Sequence, residues 1–233
     1  MGIQRFEIEL MEMKQFTEHI RHYTFNAPDF SFEPGQYLTF MIPVGEGKFI
    51  RRPYSIASPP YLKGKIEFVI EQVPGGKGSP HLFSMKPGDK MQVIGPLGDF
   101  KLGSEDHDIV LVCTGTGIAP FRSMIYHLLH KGFKHKIILL TGDRYEDEVL
   151  YQEEFLALKE KHKNFEYQNI ISQPKNPDFQ GHIGHVQSLI ERYVPSFKGD
   201  FYLCGLKAMV FSTRAWLAEK GVPMNNITIE KYD

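Results

Sequence analysis

Cysteine is nearly missing from this chain: Cys113 and Cys204 are the two among 233 residues. Two thiols are too few for a four-thiolate iron–sulfur cluster or for a disulfide framework. A cluster of that kind would have to sit on another protein. An excess of one charge is also missing, since 27 basic residues face 28 acidic ones for a formal charge of -1. That balance gives no global field to recruit nucleic acid or an anionic membrane. No apolar run approaches the ~20 residues of a membrane-spanning helix. The opening MGIQRFEIELMEMK has neither the apolar core of a signal peptide nor the arginine-rich, acid-poor composition of a transit sequence. The expectation is a cytoplasmic protein with no membrane span. Repeats and low-complexity tracts are absent as well.

What is there suffices for real cores: 42% of residues are apolar and 13% aromatic, enough for one large domain or two modest ones. From Arg5 to about Gly98 the apolar residues recur with period two, as in Phe6, Ile8, Leu10; Leu38, Phe40, Ile42; Ile66, Phe68, Ile70; and Met91, Val93. NAPD, EPGQ, VGEGK and KPGD separate these runs, a pattern that predicts a small antiparallel barrel or sandwich over residues 1–104. After GPLGDFKLGSEDHD the period changes. Apolar runs alternate with helical segments: DIVLVCT then APFRSMIYHLLHKG, KIILLT then EVLYQEEFLALKEKHK, FEYQNII then HVQSLIERYV, DFYLCG then KAMVFSTRAWLAEKG, and NITIEKY last. This predicts an α/β domain over 105–233 with a parallel sheet and helices on both faces. Phe121, Met124, Ile125, Leu128 and Leu129 share one helix face, as do Tyr151, Phe155 and Leu158. The single tryptophan, Trp216, falls with Met209, Val210 and Leu217 at core spacing.

Two stretches carry chemistry. RRPYSIAS, Arg51 to Ser58, reads as a strand on which Arg52 and Tyr54 share a face while Ser55 takes the other pleat or the strand end. A cation beside an aromatic plate suits a ligand with a phosphate at one end and a flat ring at the other; an edge strand with a solvated charge has the same sequence. In the second domain the first apolar run leads into Thr114, Gly115, Thr116, Gly117, Ile118, Ala119 and Pro120. Glycines at a strand-to-helix turn let backbone N–H groups approach a phosphate, and the helix N-terminus adds partial positive charge. Pro120 fits the first turn, where a missing donor costs nothing. The form G-x-G-x-x-P departs from the usual G-x-G-x-x-G, and a tight turn with no ligand is the plain alternative.

These motifs together resemble the ferredoxin-NADP reductase family of flavoproteins over nearly the whole chain. PGQY (34–37), RPYSIAS (52–58), GGKGSPHL (75–82), GPLGDF (95–100), TGTGIAPFRS (114–123), CGLKAM (204–209) and IEKY (229–232) occur in the family's order. CGLK and the terminal Glu-x-Tyr are similar to plant-type members. The resemblance implies a β-barrel FAD-binding domain followed by a Rossmann-like NAD(P)-binding domain. It also implies hydride transfer between NAD(P)H and FAD, and single-electron exchange with a protein acceptor such as ferredoxin or flavodoxin.

By the same resemblance, Arg52 in the Arg52-Pro53-Tyr54-Ser55 run holds the flavin pyrophosphate, Tyr54 covers one face of the flavin ring, and Ser55 brings its hydroxyl near the reactive N5. Gly78 and Ser79 take the diphosphate at the start of a short helix, where Ser79 alternatively serves as a plain N-cap. Thr114, Gly115, Thr116, Gly117 and Pro120 bind the second nucleotide. Cys204, followed by Gly205, lies beside the nicotinamide C4; Glu230 joins a hydrogen-bond network with Ser55 and Cys204; Tyr232 covers the other flavin face. Asp233 follows the tyrosine, where plant-type members end. Cys113 reads as a buried structural thiol.

For the coenzyme, Arg144 in TGDRYED favours NADPH, while Asp143 beside it suits a ribose diol and NADH. The plant-type Ser-Arg phosphate grip is replaced by Ser172 and Gln173, leaving Lys175 as a substitute; CGLK and Arg144 together favour NADPH. An NADH-dependent oxygenase reductase, a free-flavin reductase and a flavin-binding module without turnover are the alternatives. GHIGH, with His182 and His185, lacks a third metal ligand at suitable spacing. The lysines of KGFKHK and KEKHK either receive an acidic protein acceptor or simply solvate helix ends.

Overall fold

Alternating apolar residues in the first half and solid apolar runs in the second produce two different sheets in the computed structural model, which describes residues 2–232. Among the described residues one compact unit holds the chain up to Leu102 together with Ala119–His127, and the other holds Gly103–Ile118 and the chain from Leu128 onward.

The first unit is a six-stranded antiparallel sheet built from β1 (Gln4–Gln15), β2 (Ile20–Asn26), β3 (Tyr37–Pro43), β4 (Phe49–Ser55), β5 (Lys65–Glu71) and β6 (Lys90–Leu97). Its order is β4-β3-β6-β1-β2-β5, and the edge strands β4 and β5 also touch, so the sheet rolls toward a barrel. Inward residues of each alternating run form the core. Phe25, Phe40 and Phe68 are fully buried and meet edge to face at centroid distances of 5.9, 6.0 and 5.0 Å, an arrangement that suits the ring quadrupole. A short helix, α1 (Ser79–Ser84), closes one end.

The second unit is a wholly parallel six-stranded sheet, made of β7 (Ile109–Thr114), β8 (Ile137–Asp143), β9 (Phe165–Ile171), β10 (His182–Ile183), β11 (Asp200–Leu206) and β12 (Ile227–Tyr232). Its order β10-β9-β8-β7-β11-β12 reverses direction at β7, which places a ligand crevice at the carboxyl ends of β7 and β11. The connecting helices are α2 (Ile118–His130), α3 (Gln152–Lys161), α4 (Val186–Tyr193) and α5 (Lys207–Glu219). β7 is buried along Ile109–Cys113, as a central strand covered on both faces must be.

The helix read into EVLYQEEF starts later than its apolar spacing predicts. Tyr151 takes φ 56° and ψ 22°, the left-handed region, and stands as the N-cap, so α3 begins at Gln152 after a 3-10 turn at Glu146–Glu148. Tyr151 still packs edge to face on Phe155, 6.1 Å away, which is why its spacing looked helical. Asp233 lies outside the described residues.

Candidate functional site

In the first unit the site is assembled on the edge strand β4 and the start of α1. An edge tolerates Pro53, because its missing N–H need not join a ladder. Tyr54 pairs with Leu38 in register and packs edge to face on Phe40 at 5.0 Å. Burial pushes its phenol up to about 12, so the ring is a neutral plate at physiological pH. Ser55 ends the strand and is buried. Arg52 is exposed, and its Nη1 donates to the Arg51 carbonyl at 2.9 Å.

Gly78 joins the two predicted phosphate groups. A Cβ there would lie 3.1 Å from Arg52 Cγ and 3.2 Å from Ile42 Cδ1, so the bare backbone lets α1 begin directly against the arginine stem. Ser79 is not the N-cap. Gly78 holds that position, and the Ser79 hydroxyl accepts from Val73 N at 2.8 Å, tying down the GGKG loop while keeping its own proton to donate. A guanidinium, an aromatic plate and a hydroxyl gathered in one unit fit a diphosphate joined to a flat ring, as FAD requires.

In the second unit Thr114 ends β7 and a 3-10 turn, Gly115–Gly117, leads into α2, with Pro120 in the first turn. Gly115 sits at φ +52° with no atom within 4 Å of a would-be Cβ, leaving its surroundings open. Gly117 is the opposite case: a Cβ there would fall 2.5 Å from the Cys204 carbonyl oxygen and 2.8 Å from Gly205 Cα. Only glycine lets the turn lie flat on the end of β11. Thr114 Oγ1 accepts from Leu206 N at 3.1 Å on the other side of that junction. The glycine turn and the N-terminus of a 13-residue helix fit a dinucleotide phosphate.

Register then lines up a row across the carboxyl ends of five strands. Asn169 pairs with Thr141, Thr141 with Cys113, Cys113 with Cys204, and Cys204 with Glu230. Cys204 is fully buried. Burial raises its thiol well above the ordinary range, the Glu230 carboxylate adds to this, and the Tyr232 hydroxyl and Gly205 N–H oppose it by donating to the sulfur. The thiol therefore stays protonated. Cys113 is buried and raised in the same way, matching its reading as a structural thiol.

Gln173, read as a departure from the plant-type pattern, turns out to orient the candidate phosphate-binding cation. Arg144 Nε donates to Gln173 Oε1 at 3.0 Å, and the guanidinium lies 5.0 Å from the Tyr145 ring centroid. Lys175, the suggested substitute, is drawn to Asp147 at 2.8 Å and lies 4.4 Å from the Tyr145 ring centroid. Asp143 is half-buried at the end of β8. Its carboxylate accepts from Asn169 Nδ2 at 2.7 Å and from the Gly115 amide, and burial raises it to about 7.

Sequence reading missed Thr141, Asn169 and Tyr145; a polar residue inside the runs KIILLTGD and FEYQNII was the available signal for the first two. His182 is engaged with Tyr193 at 3.1 Å, and no cluster of three or more His, Cys, Asp or Glu that could hold a metal occurs among the described residues. Lys131 and Lys159 pair with Glu105 and Glu166 at 2.8 and 2.6 Å. No helix among the described residues is long and apolar enough to cross a membrane.

Residues 7–102 match the oxidoreductase FAD-binding domain family and residues 111–215 the oxidoreductase NAD-binding domain family. The chain is 32% identical to "Ferredoxin--NADP reductase B" of Sorangium cellulosum, over 98% of both chains. It is 30% identical to the toluate 1,2-dioxygenase electron transfer component of Pseudomonas putida, over 87% of this chain and 59% of that one. It spans about half (48%) of a Na(+)-translocating NADH-quinone reductase chain of Marinomonas sp., at 34% identity over 78% of this chain. The fold matches a ferredoxin NADP+ reductase from Neisseria gonorrhoeae with bound FAD and NADP, with a TM-score of 0.86 at 22% identity over 97% of this chain and 98% of that one. With an FAD-binding and an NAD-binding domain matched in order and a ferredoxin-NADP reductase relative aligned over 98% of both chains, the chain belongs to the ferredoxin-NADP reductase family and is an NAD(P)H-dependent FAD oxidoreductase.

Proposed function

We propose that this enzyme takes a hydride from NADPH onto FAD and delivers electrons singly to a protein acceptor of the ferredoxin or flavodoxin type, in the cytoplasm. FAD, when bound, supplies the exchange between two-electron and one-electron chemistry; the protein supplies binding, orientation and electrostatics. Arg52, with Gly78 and Ser79 at the start of α1, binds the flavin diphosphate, Tyr54 presses on the ring, and the buried Ser55 hydroxyl serves the reactive edge. The turn from Thr114 to Gly117, with Pro120 behind it and Gly205 beneath, binds the coenzyme phosphates. Arg144, held by Gln173 and backed by Tyr145, receives the 2'-phosphate and favours NADPH.

The observation that carries this reading is the grouping of Cys204, Glu230 and Tyr232 where Gly117 meets Gly205. A neutral thiol is a poor nucleophile but a compact wall against which a nicotinamide ring can be positioned, and hydride transfer is chiefly a positioning problem. Tyr232 lies on that thiol, so it has to move for the ring to reach it. A module that only bound flavin would have no use for this grouping. The match to the Sorangium protein over nearly all of both chains supports a separate protein as acceptor. A second reading, an NADH-dependent reductase of an oxygenase system, draws on the similarity to the toluate dioxygenase component.

The test is anaerobic addition of NADPH, and separately of NADH, to the FAD-loaded protein. The flavin absorbance is expected to bleach faster with NADPH, and a reduced sample is expected to pass electrons to ferredoxin or flavodoxin. Faster bleaching by NADH would replace the first reading with the second.

A further inference from the structure

The carboxylate of Asp143 lies beside the candidate phosphate-binding turn, one residue beyond Gly142, which pairs with Thr114. It ends β8 and accepts the amide of Gly115, the first residue of the 3-10 turn, while Asn169 Nδ2 donates to its Oδ2 at 2.7 Å and also to Thr141 Oγ1 at 2.9 Å. The groups facing it are Glu148 from the 3-10 turn before α3, Cys113 from β7, and Tyr167 and Asn169 from β9. None of these is a cation. Arg144, next in sequence, sends its Nε to Gln173, and its guanidinium packs over Tyr145. The carboxylate is thus stabilised by two neutral donors alone, and burial, with Glu148 adding to it, brings its titration to about 7.

A bound diphosphate would share the Gly115 corner with this carboxylate. Two like charges brought together in a half-buried site disfavour joint ionisation, and the carboxylate is the one that can take a proton, because a diphosphate diester is a strong acid. The amide that donates to Asp143 is also one that could turn to a phosphate, so ionised Asp143 competes with the ligand for it.

We propose that Asp143 is a proton-linked positioning residue for the coenzyme phosphates: ionised, it holds the Gly115 amide and opposes the ligand, and the dinucleotide binds with uptake of a proton at this carboxyl. The proposal rests on the reading that residues 114–117 bind the coenzyme. It deepens that reading by making affinity depend on pH through a residue that the phosphates need not touch.

The test is calorimetric titration of the FAD-loaded protein with NADP+ and with NAD+ from pH 6 to 8.5, in buffers of different ionisation enthalpy. The wild-type protein is expected to take up a proton with either coenzyme above pH 7, and its affinity should fall by up to about tenfold per pH unit there. D143N should show pH-independent affinity for NAD+ and lack that uptake; the difference between the two proteins is the decisive quantity, because the 2'-phosphate of NADP+ itself titrates near ~6. A carboxyl NMR titration of the wild-type protein gives the same answer without a variant: the Asp143 midpoint should rise when NAD+ is added. Equal proton uptake in wild type and D143N, or an Asp143 midpoint that NAD+ leaves in place, would overturn the proposal while leaving the coenzyme site intact. Failure to bind either coenzyme at any pH would overturn the reading beneath it, and the proposal with it.

Discussion

Glu67 in the first unit and Asp143 in the second are both half-buried acids, and the fold handles them in opposite ways. Glu67 Oε2 accepts from Arg122 Nη1 at 2.6 Å, and the same guanidinium nitrogen donates to the Ala57 carbonyl at 3.1 Å. Ser123 Oγ donates to the Ser58 carbonyl at 2.7 Å, so residues 119–127 of α2 are fastened to the barrel by a compensated charge and a neutral bond. His22, 3.9 Å from Glu67, is held neutral: burial pushes it down to about 4, opposed by Glu67 and assisted by Arg122. Asp143 has only amides. A paired charge is spent on architecture and has little reason to change state, whereas an acid stabilised by neutral donors can respond to whatever arrives beside it.

Breaking the compensated pair should have the largest effect. E67Q removes the carboxylate that accepts from Arg122 at 2.6 Å between side chains 12% and 17% exposed, and should lower stability by up to about 3–5 kcal/mol in urea unfolding. A loss within the ordinary surface range would mean that solvent already screens the pair.

The pH dependence sharpens the contrast, because the two groups act with opposite sign. Asp143 titrates higher in the folded protein than in the unfolded chain, so its contribution is fully present below about pH 4 and is lost as pH rises through about 7. By itself it amounts to up to about 4 kcal/mol. His22 titrates lower when folded, so its contribution is present above the ordinary histidine value and is lost as pH falls toward about 4, up to about 3 kcal/mol. Trp216, the single tryptophan, lies in the second unit and packs on Phe197 at 5.6 Å. Its fluorescence should report a loss of stability between pH 4 and 7 that is larger in the wild-type protein than in D143N, the difference between the two being the Asp143 contribution. H22Q should remove the acid-side loss seen by circular dichroism. Profiles unchanged by either substitution would place the responsible groups elsewhere.

Tyr232→Ser should have a smaller effect, a severalfold tightening of NADP+ binding by the FAD-loaded protein, since a ring that occupies the coenzyme position taxes affinity by the fraction of time it is away. Unchanged affinity would show that the tyrosine does not compete.

Much of this was legible in the sequence. Phe40, Phe68 and Ile8 sit where period two placed them, and IVLVC is buried on both faces as a solid run should be. β2 was harder to see, because Tyr23, Thr24 and Phe25 are buried in succession and break the alternation. Motifs gave candidate members of a site but not their partners. Asn169, Thr141, Cys113, Cys204 and Glu230 stand far apart in the chain and become one row through strand register, which no local pattern encodes. Gln173 looked like a lost arginine until the loops after β8 and β9 brought it to Arg144. The position of Asp143 after a strand was readable, and its bond to Asn169 was not, because β9 supplies the partner 26 residues later.

The most direct test of the central claim, that hydride transfer is positioned at the carboxyl edge of the parallel sheet, is single-turnover reduction of the FAD-loaded C204S protein by NADPH without oxygen. The account predicts a flavin reduction rate at least about tenfold below wild type with little change in coenzyme affinity, because the thiol shapes the approach of the ring more than it holds the dinucleotide. An unchanged rate of flavin reduction would contradict the account and remove Cys204 from the site.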